Sequence, residues 1–206
     1  METIGKTLRK YRKPGLRAFI GFKSRFILPL EEIEKFVPKN GMICELGSGL
    51  GMVSIFLGIA EKNRNIKGFE LCEERVRISN EAAKSLLNVN FEKKDLTKEK
   101  VGKRFDSFLL VDFLHHVNYQ SQIDILENIN SNLKKGGIIV IKEIEKGIGI
   151  KYLFNFFCDK FMTRCDHLFF RSLEEWKGLM KEMNFSVSVK RIKGIFPHVI
   201  LVCEKV

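Results

Sequence analysis

Gly47, Gly49 and Gly51 alternate with Ser48 and Leu50 directly after an apolar run that ends in Glu45-Leu46. Without side chains, such a turn lets backbone N–H groups and the opening of the next helix close on a ligand, which is the chemistry of a nucleotide cradle. The dinucleotide fingerprint wants its third glycine one place later, where Met52 stands, so the turn departs from that of a hydride-transferring dehydrogenase. Glu70 lies about 20 residues beyond the glycines, the separation of a carboxylate that accepts from both hydroxyls of a ribose. Asp95-Leu96, Asp112 and the pair His115-His116 each follow an apolar or alternating run. Imidazole exchanges protons near neutral pH, so His115 and His116, with His167 beside Asp166, are candidate general bases for a hydroxyl acceptor.

Strands must carry these residues to one edge. Met42 to Leu46, Ile66 to Leu71, Val89 to Asp95, Phe105 to Asp112 and Ile138 to Ile141 have the apolar or alternating pattern of strands. Between them, residues 52–60, 73–87 and 122–133 have helical spacing. This alternation predicts a parallel sheet covered on both faces, whose ligands lie beyond the carboxyl ends of its strands. The glycines, Glu70, Asp95, Asp112 and Lys142-Glu143 all fall at such ends. Lys135-Gly136-Gly137 reads as a turn feeding the fifth strand, and Ser172 with Glu175 as a capping box that opens a helix to about Met183. Residues 185–192 and 198–203 are strand-like and so close in sequence that they must pair antiparallel.

The chain has 206 residues, 45% hydrophobic and 30% charged, as expected of one cytoplasmic domain with a sizeable core. No apolar run reaches spanning length, and the first residues lack the apolar block of a secretory signal. Cys44, Cys72, Cys158, Cys165 and Cys203 form no CxxC pair and are read as free, buried thiols; neither a disulfide framework nor a metal site is expected. The net charge of +11 is uneven, since residues 1–28 hold eight Lys or Arg against Glu2 alone. Apolar residues interleave with them in an amphipathic pattern broken near Pro14-Gly15, and a short helix over 29–37 precedes the first strand. Such an arm could meet an anionic membrane surface, a negatively charged substrate or RNA, or serve as a lid.

With its acidic-apolar lead into Gly-x-Gly-x-Gly, its Glu70 and its Gly-Gly before the fifth strand, the sequence resembles the class I S-adenosylmethionine (SAM) dependent methyltransferases. The resemblance covers residues 40–144 well and the final hairpin in part. It implies a Rossmann-like α/β fold with a mostly parallel, seven-stranded sheet ending in an antiparallel hairpin. It also implies SAM as cofactor and S-adenosylhomocysteine as product. The cofactor would be held by Glu45, Gly47, Ser48, Gly49, Gly51, Glu70, Leu71, Asp95, Leu96 and Asp112. Within that set Glu45 favours the cationic end, Glu70 the ribose, Asp95 the adenine amine and the Leu96 N–H the ring. Leu114-His115-His116 is similar to a motif of the small-molecule members, in which one histidine lies where the methyl group points.

The division expected is a basic helical arm or lid over 1–39 and a SAM-binding domain over 40–206, with an aromatic insertion at 147–171. Seven rings in that insertion, from Tyr152 to Phe170, suggest an apolar or aromatic acceptor pocket. The activity expected is methyl transfer to a small hydrophobic or lipid-linked acceptor, at oxygen. Alternatives are an RNA methyltransferase, with the arm on phosphates, and a non-catalytic SAM-binding module. Against the RNA alternative, no Asn-Pro-Pro-Tyr or Asp-Pro-Pro-Tyr follows the fourth strand.

Overall fold

The structure, a computed structural model, describes residues 2–102, 104–144, 168–192 and 198–206. Three helices come first: α1 (Glu2–Arg9), α2 (Pro14–Phe26) and α3 (Leu30–Glu34). Then β1 (Gly41–Leu46), α4 (Met52–Ala60), β2 (Arg64–Glu70), α5 (Glu73–Ala83), β3 (Val89–Lys93) and β4 (Phe105–Val111) alternate. A single 3-10 turn at Leu114–His116 leads into α6 (Tyr119–Asn132) and β5 (Leu133–Ile144). The chain closes with α7 (Leu173–Glu182), β6 (Phe185–Ile192) and β7 (His198–Lys205).

The strands form one sheet in the order β3-β2-β1-β4-β5-β7-β6. The first four neighbouring pairs are parallel, and β7 is antiparallel to both β5 and β6. Side chains alternate between two buried faces, as strands covered on both sides require. Ile43, Leu109 and Val140 join a core with α4, while Cys44, Phe108, Leu110 and Ile139 pack with α6 and α7 residues such as Ile125, Leu126 and Trp176.

Two expectations change in detail. Lys135-Gly136-Gly137 lies within β5, where pairing with β4 shifts register between Phe105 and Ser107 and Gly136 has φ +70°. A glycine in that backbone region accommodates a strand irregularity as readily as a turn, so the same residues fit both readings. Cys72 is exposed, whereas Cys44 and Cys203 are buried as expected. The Ser172 cap accepts from the Glu175 N–H and the Glu175 carboxylate from the Ser172 N–H, completing the capping box.

The arm packs into the same core. Thr7, Tyr11, Ile20, Leu28 and Ile33 are buried, and the last four share one apolar cluster with Ile43, Met52 and Ile55. Arg64, fully buried at the start of β2, fastens this layer: its guanidinium donates to the carbonyls of Val37, Pro38 and Leu57 and pairs with Glu34 at 2.8 Å. Among the described residues no helix is long and apolar enough to cross a membrane, and no group of acidic, His and Cys side chains is arranged to hold a metal ion.

Candidate active site

At the end of β1 the chain reverses through Gly47, Gly49 and Gly51, all with positive φ. Two backbone bonds fix the loop: the Ser48 N–H donates to the Phe69 carbonyl, and the Gly51 N–H to the Ser48 carbonyl. Glu70 clamps it from β2, accepting from the Gly49 N–H and the Cys72 N–H at 2.9 Å each. The motif and its distant acid are therefore one hydrogen-bonded unit. From the arm, the buried Tyr11 hydroxyl donates to the Leu50 carbonyl at 2.9 Å.

A cavity of about 490 Å³ opens beyond the ends of β1, β2 and β4. Of the residues expected to hold a cofactor, Glu45, Gly47, Ser48, Gly49, Glu70, Leu71, Asp95, Leu96 and Asp112 line it. Gly51 is not among them. A Cβ there would meet the Phe91 ring at 2.5 Å and Ser79 at 3.0 Å, so its bareness serves the packing of α4 against β3 and α5.

The histidines separate. His116 lines the cavity; His115 does not. His115 is buried, stacks on Phe170 at 4.9 Å, and its Nδ1 lies 2.5 Å from the Glu143 carboxylate. The other Glu143 oxygen accepts from the Leu114 N–H at 2.8 Å, so this side chain pins the whole 3-10 turn. The rings of His115 and His116 are 4.1 Å apart. His167 and residues 147–167 of the aromatic insertion lie outside the described residues.

Several lining residues escape a search of strand ends read from the sequence. His198 opens β7 and faces the cavity. Because β7 runs antiparallel to β5, its first residue, not its last, reaches the ligand edge; the tail's hairpin pattern pairs β7 with β6 but does not by itself place it beside β5. Phe19, Ile20 and Lys23 of α2, with Ile27 and Leu28, also line the cavity.

Charge in the cavity is unevenly distributed. The Asp112 carboxylate pairs with the buried Lys142 ammonium at 2.5 Å. Burial alone would raise its pKa, but Lys142, His198 and Lys23 together outweigh burial and hold it at about 2. Burial works unopposed by any cation on Glu45, whose carboxyl is pushed up to about 7 even though it accepts from the Ser54 N–H and hydroxyl. A raised acid favours the folded state most when protonated. Its contribution is full below about 4.5, falls by about 3 kcal/mol as the pH climbs to about 7, and is constant above that. A cationic ligand beside Glu45 expels the proton. Affinity for such a ligand is therefore expected to rise up to about tenfold per pH unit between roughly pH 5 and 7 and then level off. Calorimetric titration in buffers of different ionisation enthalpy checks this by counting the proton released. A pH-independent affinity would exclude Glu45 from the ligand's cationic end.

S-adenosylmethionine fits these residues. A Cβ on Gly49 meets nothing within 4 Å, so bare backbone borders open space there. The wall is of mixed charge, with Lys23, Arg75 and Lys94 beside Glu45, Glu70, Asp95 and Asp112, and these carboxyl groups offer acceptors to a sulfonium and an ammonium group. Asp112 Oδ2 is buried without a hydrogen-bond partner among the described residues, an acceptor ready for a ligand N–H.

Comparison with known proteins agrees with the fold. No curated protein sequence matches the chain. Solved structures do. The pyocyanin biosynthetic protein PhzM superposes over 98% of this chain and 62% of its own with TM-score 0.73 at 17% identity. Magnesium protoporphyrin IX methyltransferase from Synechocystis PCC 6803, solved with S-adenosylhomocysteine, gives 0.71 at 15% identity, covering 96% of this chain and 92% of its own. An O-methyltransferase family 2 protein from Planctomyces limnophilus, in complex with apigenin, gives 0.70 at 15% identity over 86% and 57%. The chain thus spans about six-tenths of PhzM and of the apigenin-bound protein. The sequence itself matches the methyltransferase domain family over residues 20–188. With the glycine turn, its clamping acid and the parallel sheet ending in a hairpin, that match establishes that the chain belongs to the methyltransferase domain family.

Proposed function

We propose that the protein transfers a methyl group from SAM to a hydroxyl of a small apolar or lipid-like acceptor. The observation that carries this reading is the continuity of one cavity. The same cavity is lined by the glycine turn, Glu70 and Asp95, by Glu45 and Asp112, and by His116, Val117 and the apolar Phe19, Ile20 and Ile27. The first group suits a nucleoside, the last an apolar acceptor.

SAM, when bound, supplies an electrophilic methyl group on a sulfonium. The chain's own residues align the acceptor, exclude water and take a proton. Gly47, Ser48 and Gly49 would cradle the cofactor, Glu70 would accept from the ribose hydroxyls and Asp95 from the adenine amine. Glu45 and Asp112 would hold its cationic end, and the Leu96 N–H, with Leu71 beside the site, would meet the ring. His116 receives the proton of the acceptor hydroxyl. His115, tied to Glu143, is a positioning residue that packs His116 into place.

The test uses a panel of phenols, catechols and prenylated quinols, with release of S-adenosylhomocysteine as readout. Turnover is expected with an apolar, hydroxylated member. His116→Ala should lower kcat by about 100-fold or more with the affinity for SAM unchanged. If His116→Ala keeps wild-type kcat, the proton goes elsewhere. If no hydroxylated acceptor turns over although SAM binds, methylation at oxygen is wrong.

A further inference from the structure

Helix α2 turns Ile20 into the core, yet leaves Phe19, Phe22 and Phe26 exposed at 38%, 53% and 46%. Spaced i, i+3, i+7, the three rings form one narrow stripe. Phe22 and Phe26 rest on each other at 5.1 Å. Beside the stripe, Arg25 is exposed about a quarter-turn away and the Lys23 ammonium lies 6.0 Å from the Phe19 ring; Arg17 is turned back to the Tyr11 carbonyl, and no acid occurs between Glu2 and Glu31 while eight Lys or Arg do. Phe19 belongs at once to this outer stripe and to the wall of the cavity.

We propose that α2 docks on an anionic lipid bilayer, with Phe19, Phe22 and Phe26 in the headgroup boundary and the basic side chains among the phosphates. Aromatic side chains on one face and cations beside them are what an interfacial helix needs, and each basic residue near such a surface adds to the attraction. The surrounding charge selects an anionic surface over a neutral one. Rings packed on each other in a stripe favour a bilayer over RNA, since stacked bases need rings that stand apart. Docked this way, the cavity wall at Phe19 adjoins the bilayer. An acceptor with an apolar tail can then enter without crossing water; this last step rests on the methyltransferase reading, whereas docking does not.

Flotation with phosphatidylglycerol vesicles, against phosphatidylcholine vesicles and against single-stranded RNA in a mobility-shift assay, tests the proposal. The full chain should float with phosphatidylglycerol alone, and less at high salt. The double variant Phe22→Ser/Phe26→Ser should lose about tenfold or more in partitioning, and Arg25→Glu should lose several-fold. Neither variant alters a residue lining the cavity, so SAM affinity measured by calorimetry should hold in both and verify folding. Equal flotation with both lipids, flotation indifferent to these substitutions, or an RNA shift abolished by them without any flotation would overturn the proposal. A failure of methyl transfer with docking intact would instead count against the proposed activity.

Discussion

Glu143→Ala is expected to lower the unfolding free energy by about 3–5 kcal/mol, the range seen when one partner of a buried polar pair is removed. Three donors lose their acceptor at once: the N–H groups of Phe113 and Leu114 and the Nδ1 of His115. Both His115 and Glu143 are buried, so water cannot readily replace the lost partner. For a chain of this length the unfolding midpoint should fall by about 10 °C. Glu143→Gln keeps an oxygen for the Leu114 N–H and offers its NH₂ to Nδ1, which forces the other imidazole tautomer. It should cost only about 1 kcal/mol while still lowering kcat, because the ring beside His116 has changed its protonation pattern. Thermal unfolding monitored by circular dichroism separates the two variants. If Glu143→Ala melts with the wild type, the clamp assigned to this carboxylate is wrong.

Glu70→Ala is expected to weaken SAM binding by about 100-fold. Two charge-assisted hydrogen bonds to a ribose at about 1.5 kcal/mol each give that factor, before counting the Gly49 N–H left without its clamp. The glycine turn supplies the matching control. Gly49→Val places a β-branched residue at φ +54° and a side chain in the open cradle, so it should also reduce binding severely. Calorimetry with SAM and S-adenosylhomocysteine reads both. A change of less than about threefold for Glu70→Ala, within the ordinary spread of surface substitutions, would remove Glu70 from the ribose site.

Much of this architecture was legible because local signals and tertiary demands coincide. The alternating glycines had to be a turn, Phe105 to Asp112 was apolar enough to be a strand buried on both faces, and the closing strands were too near in sequence to pair in any way but antiparallel. The separation of His115 from His116 was not legible. A 3-10 turn sends successive side chains in different directions, and which one meets the cavity depends on Glu143, contributed by another strand. Nor was the role of Lys142: a lysine inside an apolar run reads as a strand end, whereas here it is buried in β5 against the charge of Asp112. His198 and the α2 wall needed the sheet's actual order before their ends could be assigned to the ligand side.

The bond from the Tyr11 hydroxyl to the Leu50 carbonyl ties the arm to the cradle. Linkage between two binding sites is reciprocal. Any factor by which docking of the arm tightens the grip on SAM must reappear as the factor by which SAM prolongs residence on the bilayer. Were the proposed docking to tighten the grip on SAM, cofactor supply would govern where the protein is found as well as how fast it works, and depletion of SAM would favour its release from the bilayer.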